Sequence, residues 1–90
     1  MTKEEFIKWA QKRGWTLDRF GHLQKTTADS KGNYHKARFK LQPTSVRYEI
    51  QVVHPATEYS PKSTEWFRLR SGYYKDLSIS PEGKLRGLKL

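Results

Sequence analysis

Residues 34 to 53 read YHKARFKLQPTSVRYEIQVV. In the first half, Ala37, Phe39 and Leu41 alternate with Tyr34, Lys36, Arg38 and Lys40. In the second half, Val46, Tyr48, Ile50 and Val52 alternate with Arg47, Glu49 and Gln51. A period of two is that of a strand, whose successive side chains point to opposite faces. Gln42-Pro43-Thr44-Ser45 lies between, with a proline to fix φ and polar neighbours that bond to the backbone of a turn. The stretch predicts an antiparallel hairpin with one apolar and one cationic face.

Upstream, the period is helical. In MTKEEFIKWAQKRGW, Thr2 and Glu5 have the spacing of a capping box. Phe6, Ile7, Trp9 and Ala10 fall on one side, and Lys12 and Arg13 suit the electronegative end of the helix. Gly14 fits the left-handed position that closes a helix, so a helix is expected over about residues 3–13. After Gly14 alternation begins. WTLDRFGHLQKTT reads as a strand with Trp15 and Leu17 inward and a break at Gly21. TADSKGN is a turn, and HPATEYSPKST, with two prolines, is the longest loop.

Downstream, WFRLRSGYYKDLSIS continues the pattern. Trp66, Arg68 and Arg70 are expected on one face, with Phe67 and Leu69 on the other. Tyr73 and Tyr74 follow Gly72 and must point to opposite sides, one to the core and one to a partner. Ser80-Pro81-Glu82-Gly83 has turn chemistry and predicts a closing hairpin with LRGLKL as its second arm. The order of elements gives an α+β fold in one domain over residues 1–90. An N-terminal helix packs on a twisted, mainly antiparallel sheet of about five to six strands.

One face of such a sheet meets the helix and the other meets water. With Phe39, Leu41, Tyr48, Ile50, Phe67 and Leu69 beneath the helix, the far face carries Tyr34, Lys36, Arg38, Lys40, Arg47, Trp66, Arg68 and Arg70. Tyr74, from the second aromatic cluster, joins this candidate nucleic-acid-binding set. Glu49 and Glu65 are the carboxylates that could dilute the face. The chain has 18 basic and 9 acidic residues, for a net charge of +9. Residues 15–42 and 66–90 each hold six basic against two acidic groups, whereas 43–65 hold two against three. Such a field attracts polyanions. The chain is therefore expected to be a small, basic, non-catalytic module that binds nucleic acid, DNA or RNA. Exposed Trp, Tyr and Arg also suit a protein interface, so an acidic protein is the alternative partner. Arginine stems that cover aromatic rings, and lysines that keep a sheet edge soluble, would place the same residues on a merely solvated face.

The chain has no cysteine. No disulfide framework or thiolate metal site is therefore expected, and a reducing, cytoplasmic location fits. No apolar run approaches the roughly 20 residues of a membrane span, so no membrane partner is expected. His22, His35 and His54 lie in separate segments without metal-ligand spacing, and no glycine-rich phosphate loop occurs. Neither metal nor cofactor is expected.

The helix ending at Gly14-Trp15, then a strand, then Gly21-His22, is similar to the start of the HicA toxins. These are small basic RNA-cleaving proteins with a double-stranded-RNA-binding-like fold. The resemblance implies a catalytic histidine on the first sheet, for which only His22 matches. It covers the first quarter of the chain. The remainder departs from the family, which ends in a helix where this sequence ends in a hairpin.

Overall fold

The computed structural model describes residues 1–28, 30–32 and 34–90. Helix α1, Lys3–Lys12, opens the chain. Thr2 Oγ1 accepts the Glu5 N–H at 3.2 Å, and the Glu5 carboxylate accepts the Thr2 N–H at 3.0 Å. These reciprocal bonds satisfy two donors that the first turn would leave free. Gly14, at φ 91°, takes the left-handed conformation after the last turn.

Five strands follow as an antiparallel meander in chain order: β1 Thr16–Leu17, β2 Leu23–Ala28, β3 Tyr34–Leu41, β4 Ser45–His54 and β5 Ser63–Tyr73. A 3₁₀ turn, Tyr74–Asp76, leads into a separate hairpin of β6 Ser78–Ile79 and β7 Leu85–Arg86. The architecture is α+β, as the sequence predicts. The turn expected over 27–33 includes Asp29 and Asn33, which lie outside the described residues.

Residues 15–27 form a hairpin where the sequence suggested one strand with a break. Asp18 makes the reversal. Its Oδ1 accepts the N–H groups of Phe20 and His22 at 2.8 and 2.9 Å, and its Oδ2 accepts the Gln24 amide at 2.9 Å. An aspartate that bonds the backbone two residues on is a turn-former, and this turn brings β2 back along β1. Leu17, expected inward, is left exposed at that edge.

The core lies between α1 and the near face of the sheet. Phe6, Ala10, Trp15, Leu23, Ala37, Phe39, Leu41, Val46, Tyr74 and Leu77 are buried. The Phe6 ring meets Phe39 edge-on, with centroids 4.9 Å apart, and Trp15 covers Phe39 at 4.3 Å. The β6–β7 hairpin flanks the helix, and Trp9 Nε1 donates to the Gly83 carbonyl at 2.9 Å. Trp9 thus keeps an apolar body in the core and a satisfied N–H at its rim.

Near-face coverage is incomplete. Phe67 and Leu69, expected under the helix, are 45% and 40% exposed. An α-helix of 10 residues spans only about 15 Å, whereas strands of 10 and 11 residues run roughly 33–36 Å. The far half of the β4–β5 ribbon therefore extends beyond the helix, and the molecule is 49 Å long against 28 and 25 Å across. No helix among the described residues is long and apolar enough to cross a membrane.

Candidate functional site

Cross-strand partners share a face, so the register assigns each side chain of the sheet. Tyr34 opposes Ala28, Lys36 opposes Thr26, and Arg38 opposes both Gln24 and Glu49. Lys40 opposes Arg47, Arg47 opposes Ser71, Glu49 opposes Arg68, and Gln51 opposes Trp66. The far face thus gathers Tyr34, Lys36, Arg38, Lys40, Arg47, Trp66 and Arg68. Glu65 opposes Val52 and falls on the near face, where its carboxylate lies 3.3 Å from His54. Of the two carboxylates expected to dilute the face, only Glu49 lies on it.

Arg70 does not belong to this set. Tyr48 pairs with Arg70 while the next residue, Glu49, pairs with Arg68. Leu69 is therefore an extra residue, and a β-bulge reverses the alternation inside the Trp66–Arg70 stretch. Arg70 shares the near face with Tyr48 and lines an apolar groove with Trp9, Leu69 and Leu88. Tyr74 is also removed from the contact set. It is 4% exposed, packs 5.9 Å from the Phe6 ring, and its hydroxyl titrates higher because it is buried. Tyr73 is the exposed member of the pair.

The centre of the far face is an internal arrangement. Glu49 is 7% exposed, and its Oε1 accepts from Arg38 Nη2 at 2.6 Å and Nε at 2.9 Å. The Arg38 guanidinium also lies 4.0 Å over the Trp66 ring. Arg38 thus neutralises the buried carboxylate and covers one face of the tryptophan. This is the self-satisfying pairing of arginine and aromatic ring that the sequence allowed. Around it, Lys36, Lys40, Arg47 and Arg68 carry no ion pair with a described residue. Tyr34, 77% exposed, stands at the far end of β3.

Two of the hollows beside these cations stand at the β1 edge and at the β3–β4 turn. The larger, about 430 Å³, lies at the β1 edge between Thr16, Gln24, Lys25 and Lys36. The Lys25 ammonium there is already bonded to the Arg13 carbonyl at 2.7 Å, which leaves Lys36 as its free charge. The smaller, about 170 Å³, lies at the β3–β4 turn and holds both Arg47 and Arg68 with Ser71 and Tyr73. Tyr73 is the exposed member of the tyrosine pair that the sequence singled out, whereas Ser71 carried no sequence signal, because its side depends on the bulge.

His22, the position the HicA resemblance would make catalytic, uses Nδ1 to accept the Leu41 N–H at 3.1 Å. It ties the first hairpin to the end of β3. Among the described residues there is no group of three or more metal-ligating side chains. The fold and this face define a small α+β protein with a cationic, aromatic sheet surface. Comparison of the chain with protein-family models, curated proteins and solved structures yields no match.

Proposed function

We propose that the far face of the sheet binds nucleic acid. The observation that carries this reading is a charge imbalance on one surface. Lys36, Lys40, Arg47 and Arg68 share it without a carboxylate partner among the described residues, and the carboxylate at its centre, Glu49, is taken by Arg38. Unneutralised cations gathered on one sheet face attract a phosphate backbone and release counterions when they meet it. Tyr34 and the half-buried Trp66 ring offer ring surface to unpaired bases, a contact worth roughly 1–3 kcal/mol per base. The chain acts in this reading as a non-catalytic binding module in the cytoplasm.

The test is a fluorescence-anisotropy titration against single- and double-stranded DNA and RNA at two salt concentrations, with polyglutamate as competitor. Binding to at least one nucleic acid is expected, weakening steeply with salt and resisting polyglutamate at equal charge. Binding that polyglutamate abolishes and nucleic acid does not would assign the face to an acidic protein.

A further inference from the structure

We infer that the hollow between Arg47 and Arg68 is a subsite for a terminal phosphate monoester of a nucleic-acid strand. The inference rests on the nucleic-acid reading and names the part of the strand that this end of the face receives.

The hollow exists because of the bulge. In an unbroken strand, Arg70 would follow Arg68 on the far face and fill the space next to Arg47. The extra residue at Leu69 turns Arg70 to the near face and makes Ser71 the next far-face residue, opposite Arg47. A long cation is exchanged for a short hydroxyl, and a space of about 170 Å³ opens between Gln42, Ser45, Arg47, Arg68, Ser71 and Tyr73. This lining contains two guanidinium groups, two serine hydroxyls and no carboxylate. Ser45 Oγ donates to Gln42 Oε1 at 2.8 Å, which leaves Ser71 as the serine hydroxyl that meets an anion from the β5 side.

Charge and shape select the ligand. Two unpaired guanidinium groups match a dianion with three free oxygens, which is a phosphate monoester near neutral pH. An internal phosphodiester has one charge and two of its oxygens esterified, and so uses such a site less fully. Position agrees with this choice. The hollow lies at the β3–β4 turn, where the row Lys36, Arg38, Lys40 ends, while Tyr34 lies at the other end of β3. A strand laid along the cations reaches the hollow with its end.

The experiment compares one single-stranded oligonucleotide carrying a 5′-phosphate, a 3′-phosphate or hydroxyls at both ends. It is run with the intact protein and with Arg47→Gln, Arg68→Gln and Lys36→Gln. One phosphorylated form should bind about ten-fold more tightly than the hydroxyl-ended strand. That preference should vanish in Arg47→Gln and Arg68→Gln and persist in Lys36→Gln, which weakens all three strands alike. Circular dichroism of each variant separates a lost site from a lost fold. Equal binding of all three strands by the folded parent protein overturns the subsite and leaves the nucleic-acid reading standing. If no strand binds while a nucleoside 5′-monophosphate does, the nucleic-acid reading fails and the hollow is a site for small phosphate esters. Binding of neither overturns both.

Discussion

Glu49 is the residue on which the cationic face turns. Alternation puts it outward, and an outward glutamate in a chain of this composition reads as solvated. It is instead buried beneath a face crossed by Arg38 and Trp66. Removing one member of a buried pair leaves the other charge uncompensated, a larger effect than the net worth of the pair. Arg38→Met is therefore expected to destabilise the fold by about 3–5 kcal/mol, with Arg38→Met/Glu49→Met recovering most of the loss. Urea denaturation of the two single variants and the double variant gives the coupling directly. Equal loss in Arg38→Met and the double variant would mean that Glu49 is not held by that arginine. Asp18 makes a second prediction at this scale. Burial alone would raise its carboxyl, but the N–H groups of His22 and Phe20 and the Gln24 amide together hold it below its ordinary value of 3.8. A carboxylate with a depressed folded value adds stability above the unfolded value and loses it as pH falls through the folded one. The stability advantage of the parent over Asp18→Asn should be constant above about pH 5 and shrink as pH falls below 4. An advantage unchanged down to pH 2.5 would show that the hairpin does not depend on the charged form.

Among the elements, the helix was the most legible. Thr2, Glu5, the Phe6–Ala10 stripe and Gly14 each state a local rule that the fold obeys. Phe6 is fully buried between the sheet and Tyr74. Phe6→Ala should therefore lower unfolding stability by about 3–5 kcal/mol. A loss under 1 kcal/mol in a urea titration would mean that the helix is not docked as described. The strands of residues 34–53 were equally legible, because period two persists through both. The bulge was not. WFRLRS alternates without a flaw, and a bulge of this kind needs no glycine, so one extra residue leaves no mark in composition. Its effect is nonetheless large, since it moves Arg70 across the sheet and brings Ser71 beside Arg47. Tyr73 and Tyr74 could not be told apart for a related reason, because the strand yields to a 3₁₀ turn between them. Gly87 shows how the end of the chain is held. It sits at φ 110°, and an added Cβ would collide with the Asp76 carbonyl oxygen. Gly87→Ala should cost at least roughly 1–3 kcal/mol from backbone strain, with fraying concentrated at the Ser71–Lys89 bridge in hydrogen exchange.

For the whole molecule, the open question is whether charge acts by its sum or by its place. The sequence made the sum plain and split it into two basic blocks, but blocks along a chain do not define a surface. The register does so, by setting Lys36 and Lys40 of one block on the same face as Arg68 of the other. The most direct test uses two variants that each reduce the net charge of +9 by four. The first carries Lys36→Gln, Lys40→Gln, Arg47→Gln and Arg68→Gln on the far face. The second carries Lys8→Gln, Lys12→Gln, Lys84→Gln and Arg86→Gln, all exposed and on the helix or the separate β6–β7 hairpin. Nucleic-acid affinity is then measured as a function of salt for both variants and the parent. A log–log slope of roughly −3 to −4 on duplex DNA is expected for the parent if all four cations meet phosphates. The slope should collapse towards zero in the far-face variant and remain near the parent value in the other. Equal losses in the two variants would contradict the central claim, because binding would then follow net charge and not the sheet face.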